Sequence, residues 1–374
     1  NPGADLPTPA DLTIDFTDDM HYRVAGSVIG TGTDGALLTA GDVSVTGTAE
    51  FAVSKYDRDL GTLTESTLNS YAFNVDGGFN IGTTVVMGLT GELAVATVND
   101  NTDTPIYTAI KIGDVNVTSN TGTDQFGLTG TISIDYYHSN SAANGYQRLD
   151  WTNAFADGAL LNPGADLPTP ADLTIDFTDS LQYRLSGSVT GDGNDLDGNP
   201  GTVFLNAGDV SFAGSAEFAL SRWTVDATHS SGVLTDTTLD SYAFSLNDVT
   251  LEVDSVATFS VTGAVGFAKV TPTDATADYY TAIKMGDVDL SLTAGGTSFE
   301  LDGTLSIDTF DRNGVASPTG ATPGERLDWS TAFDFDSDGT ADTFDPGAEL
   351  PTPQDLTIDF TDSLQYRLSG SVTG

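Results

Sequence analysis

One block of thirty residues occurs three times along this chain. Residues 1–30 read NPGADLPTPADLTIDFTDDMHYRVAGSVIG, residues 162–191 read NPGADLPTPADLTIDFTDSLQYRLSGSVTG, and residues 345–374 read DPGAELPTPQDLTIDFTDSLQYRLSGSVTG. The rest matches too: SYAF recurs at 70–73 and 241–244, YTAIKIGDV (107–115) answers YTAIKMGDV (280–288), and RLDW recurs at 148–151 and 326–329. The starts lie 161 and 183 residues apart, and the difference falls in stretches such as GDGNDLDGNPGT (191–202), where surface insertions are tolerated. The units are therefore 1–161, 162–344 and the opening of a third, 345–374. A chain built this way folds as repeated modules with nearly identical neighbours.

Within each unit a smaller pattern recurs, apolar residues at every second position around a central Gly. Phe126, Leu128, Gly130, Ile132 and Ile134 form one copy; Phe299, Leu301, Gly303, Leu305 and Ile307 form its partner. Strict period-two alternation predicts half-buried strands with Thr, Ser, Asp and Ala on a solvated face. A polar face favours antiparallel pairing. The central Gly either lets a long strand bend or leaves room for a large neighbour. At Gly-Asp-Val and Asn-Asp-Val the apolar parity switches. Ile283 and Met285 share one parity and Val288 and Leu290 the other; a second switch falls between Leu246 and Val249. Such a switch predicts a β-bulge. The expectation is an all-β fold of tandem antiparallel β-sandwich or rolled-sheet modules, about seven long strands each, forming a rod or filament. NPGADLPTP reads as a stiff connector between modules.

Acidic residues outnumber basic ones 54 to 12, for a net charge of -42. That excludes phosphate-backbone binding, which needs clustered Lys and Arg, and disfavours anionic membrane surfaces. Cations are the expected partners. Eight of the acids are Glu and 46 are Asp. The bias toward the shorter acid suits turns and calcium loops, with solvation in high salt as a second cause. There is no Cys, hence no disulfide framework, and no apolar run of membrane-helix length.

The sharpest local motif runs from Asp334 to Asp345. Oxygen-bearing Asp334, Asp336, Asp338, Asp342 and Asp345 stand at positions 1, 3, 5, 9 and 12, with Gly339 at position 6. This resembles the calcium loop of EF-hand and dockerin-type proteins, without flanking helices and with Asp in place of the closing Glu. The resemblance implies Ca2+ held by these five carboxylates, stiffening the joint that follows. The equivalent AFADGALLNPG (154–164) lacks the ligand set.

Nine of the twelve cations keep phase with the repeat, among them Arg23, Arg184 and Arg367, Lys111 and Lys284, and Arg148 and Arg326. Phased charges are expected to hold structure, paired with Asp or lying across unit contacts. His21, His138 and His229 fall in poorly matched contexts and are expected on the surface. Nucleophile elbow, phosphate loop and zinc spacing are all missing from the sequence, so catalysis is not expected.

In general plan the chain resembles the giant tandem-repeat extracellular adhesins and filament proteins of bacteria, through its repeats, acidity, absence of Cys and calcium-type loop. The resemblance implies a non-catalytic structural segment of a secreted bacterial or archaeal surface filament or stalk, whose partners are neighbouring repeats and other copies of itself. The alternative reading is an adhesive module whose Thr/Ser face recognises a glycan or another surface.

Overall fold

The repeat boundary leaves no gap in the hydrogen bonding. The computed structural model describes residues 2–5, 7–8, 14, 16–31, 36–40, 43–60, 63–81, 84–99, 105–119, 127–128, 130–143, 146–155, 158–194, 200–207, 210–253, 257–274, 278–294, 301–316, 324–335 and 339–374. Unit one contributes β1 (Met20–Ile29), β2 (Ala36–Ala40), β3 (Val43–Leu60), β4 (Leu63–Ile81), β5 (Thr84–Asn99), β6 (Pro105–Ser119), β7 (Gly127–Leu128) and β8 (Gly130–Ala142). Unit two contributes β9 (Leu181–Gly191), β10 (Gly193–Asn194), β11 (Pro200–Ala207), β12 (Val210–His229), β13 (Gly232–Val253), β14 (Ala257–Thr271), β15 (Tyr279–Met285), β16 (Val288–Ala294) and β17 (Leu301–Ala316). The third unit opens with β18 (Tyr366–Thr373).

β1 and β2 lie end to end along β3, and β3, β4, β5, β6 and β8 then pair in order, all antiparallel. β8 pairs with β9, and β9 with β12. The order then repeats through β13, β14, the end-to-end pair β15 and β16, β17 and β18. The all-β antiparallel expectation holds. The modules share one continuous sheet across the boundary at 161/162, in place of separate sandwiches.

The bulges fall where the parity switches. Glu92 pairs with Gly113 and Thr90 with Asn116, so two residues of β6 oppose one of β5. Leu246 pairs with Gly263 and Val249 with Val261, giving the same two-to-one count in β13. Both readings of the central Gly occur. Gly214 takes φ +126 beside the register shift of β12. Gly187 faces Phe218, and a Cβ there would strike that ring and the Ser133 carbonyl.

The stretch read as a connector is the second layer. Residues 146–155 and 158–180 cross one face of the sheet, where Trp151, Ile175 and Phe177 pack against Leu60, Leu68, Val98 and Ala109, and Leu167 and Leu173 against Ala52, Ala72 and Ala94. In unit two Leu327, Trp329, Phe333, Ile358 and Phe360 repeat the arrangement on Leu239, Ala268 and Ala282. Each fully buried large side chain contributes about 1.5–3 kcal/mol relative to exposure. Trp223 packs against both of the larger clusters and joins the two cores. In the same block before β1, Ile14 and Phe16 are 67% and 69% exposed against 0% and 2% for Ile175 and Phe177. Each covering segment thus belongs to the unit that precedes it.

This inverts the expected burial. The covered face is paved with small residues, one row running Ser54, Ser70, Ala96, Ala109 to Asn140. Small side chains let the covering backbone come close. Most large sheet residues, apart from those such as Leu60, Leu68, Val98 and Leu239 in the cores, point the other way: Phe51, Phe73, Leu93, Ile112, Tyr137 and Leu185 form a row that continues through Leu220, Tyr242 and Phe267. That face carries no second layer among the described residues, and Phe73, Met87, Phe244 and Phe259 are 38–45% exposed.

Candidate functional site

The repeated polar residues converge where the covering segment meets the sheet. Asn140, buried on β8, donates its Nδ2 to Leu149 O at 2.8 Å and Thr178 O at 2.9 Å, and accepts Trp151 Nε1 at 3.1 Å. Asn313 does the same with Leu327 O and Thr361 O, both at 3.0 Å, and Trp329 Nε1 at 3.1 Å. Each buried amide therefore ties two strands of covering backbone and one indole to the sheet, at low cost because every group is paired. Glu50 accepts Thr169 N and Oγ1 at 3.0 and 2.9 Å, and Glu217 accepts Thr352 N and Oγ1 at 3.0 and 2.7 Å. Lys111 donates to Thr174 O at 2.8 Å, Arg148 to Asp179 O at 2.8 Å and Arg326 to Asn313 O at 3.1 Å. Other phased cations pair with Asp, as expected: Arg23 with Asp166, Arg222 with Asp240, and Lys284 and Arg367 with Asp311.

A second cluster sits at the junction between units. Arg184 on β9 stands opposite His138 on β8, with Nη2 3.0 Å from Nδ1. Guanidinium only donates, so Nδ1 accepts and a neutral ring carries its proton on Nε2. The ring stacks on Phe177, 4.5 Å between centroids. Burial, then Arg184 and Lys111, push its pKa down to about 3. His138 is thus a buried junction residue, contrary to the surface placement expected of it; His21 is exposed and His229 half-buried. At the next junction Asp311 fills that place, fully buried, 3.6 Å from Lys284 and paired with Arg367. Arg184 also faces Glu349 of the second covering segment, whose carboxyl burial pushes up.

The calcium-type loop is described only at its ends. Asp336 and Asp338 lie outside the described residues. Asp334 accepts Gly339 N at 2.9 Å, with Gly339 at φ +86, and Asp342 accepts Phe335 N at 2.7 Å. Asp345 is used differently. Its Oδ1 accepts Gly347 N at 2.9 Å and Leu356 N at 3.0 Å, capping the 3-10 turn Pro346–Glu349. Asn162 makes the same two bonds, to Gly164 N at 3.1 Å and Leu173 N at 3.0 Å. A neutral amide does the identical work, so position 12 is a cap. Asp334 and Asp342 are the other described members of the five-carboxylate set. Among the described residues no group of three or more His, Asp or Glu is gathered in a way that could hold a metal.

Sequence reading missed the roles of Asn140 and Asn313, whose signal was their recurrence eleven and sixteen residues before the RLDW tryptophan. No family model, curated protein or solved structure matches the chain.

Proposed function

We propose that this chain is a non-catalytic, load-carrying segment of an extracellular filament or stalk on a bacterial or archaeal surface. The observation that carries the reading is the unbroken ladder from β8 through β9 to β12, with Trp223 shared by both cores. A joint made of sheet hydrogen bonds bends only if those bonds break, so successive units keep one direction. Repetition then sets reach. The charge of -42 keeps such rods apart until cations screen it. Calcium enters this reading at the loop Asp334–Asp345, where Asp345 also caps the following turn through Oδ1.

The test is electron microscopy of chains carrying two, four and eight repeats, with calcium and with chelator. The expected result is a straight rod that lengthens by roughly 30 Å per repeat, six strands at about 4.8 Å each. Beads joined at variable angles would refute it. Compact particles that bind a glycan array would favour the adhesive alternative.

A further inference from the structure

Among the described residues the large apolar face has no cover, and its extent says what fits it. We propose that this face packs against the same face of a second copy of the chain, forming a two-layered ribbon. The proposal rests on the filament reading above and deepens it by naming the partner.

Three observations favour a copy over another occupant. The first is area. Phe73, Leu89, Ile132, Phe244, Phe259 and Leu305 each expose 37–45% of their surface on one side of the sheet. Together with their neighbours they present on the order of 1,000 Å² of apolar surface, against roughly 800 Å² per partner in a stable interface and roughly 300–600 Å² for the largest patch of a monomer. The second is period. The apolar rows cross from β8 to β9 without interruption and recur with the repeat. A partner that matches such a stripe along its length needs the same spacing, which a second copy has. The third is charge. In the same strand halves Glu50 and Glu92 share a row with Asn74, on the opposite face from Phe73. Two copies can therefore approach with their acids turned outward, as the two sheets of a sandwich pack about 10 Å apart. A lipid surface is the poorer occupant, because a net charge of -42 is repelled by anionic headgroups.

The covered face supplies an internal control. Trp151, Trp223 and Trp329 all belong to the cores under the covering segments, so tryptophan fluorescence reports folding without reporting the open face. Sedimentation velocity of the whole chain from about 1 to about 100 μM, beside Phe73→Thr, Phe244→Thr and the double variant, tests the pairing. The expected result is a wild-type dimer whose dissociation constant rises at least about tenfold in the double variant, about 1.4 kcal/mol, with tryptophan emission unchanged. The single variants cover the case in which the double variant fails to fold. A wild type monomeric at about 100 μM, or a dimer indifferent to these substitutions, overturns the proposal. So does a monomer that floats with phosphatidylcholine vesicles. Straight rods from a monomeric chain would sink the pairing while leaving the filament reading intact; paired but beaded chains would do the reverse.

Discussion

His138 and Asp311 fill the same place in successive repeats, each opposite the arginine through which the next repeat enters the sheet, Arg184 in one case and Arg367 in the other. One junction thus holds a neutral ring between two cations and the next holds a carboxylate between two cations. The two joints have the same backbone pairing and differ in the charge of the central group.

The first joint should weaken as pH falls. His138 has an ordinary value of 6.5 when unfolded and one near about 3 when folded, so the unfolded chain binds a proton that the fold refuses. Its contribution is complete above the unfolded value and is lost progressively as pH drops from 6.5 toward 3. His138→Asp installs the arrangement of Asp311. Urea midpoints at about pH 7 and about pH 4.5 should show a smaller acid loss for the variant than for wild type. Equal losses would show that the ring does not govern the joint.

Removing the amide clamp should be costly. Asn140→Ala strands the Leu149 and Thr178 carbonyls and the Trp151 indole, all at the base of a buried core. The expected loss is about 2–4 kcal/mol, and Asn313→Ala should match it. Urea unfolding followed by tryptophan emission measures both. A loss below about 1 kcal/mol would mean that water replaces the amide.

Asp345 should behave as a cap. Asp345→Asn is expected to change stability by less than about 0.5 kcal/mol, because Asn162 already does the same work, while Asp345→Ala costs about 1 kcal/mol. Calorimetric calcium titration should be indifferent to Asp345→Asn and lose signal in Asp334→Asn with Asp342→Asn. Loss of calcium binding in Asp345→Asn would return that residue to the ligand set.

Backbone features were the most legible. The bulges at Asp114–Val115 and Asn247–Asp248 could be read because a slip of one residue flips every later side chain, and the flip is written in the alternation. Role assignment was less so. Asp345 fits a twelve-residue metal spacing, yet its carboxylate meets Leu356 N, eleven residues on, and only the fold of 345–356 brings that donor near.

By itself the sequence determined the strands, their antiparallel pairing, the bulges and the repeat, since each follows from local periodicity. It did not determine which face is covered. Ala52, Ala72 and Ala94 read as spacers on a solvated side, yet they are the floor on which Leu167 and Leu173 rest. Burial is a relation between two surfaces, and the covering surface arrives from residues about a hundred positions away. The tertiary structure decided that small side chains would take the close contact and large ones would face outward, because backbone packs nearest where side chains are shortest.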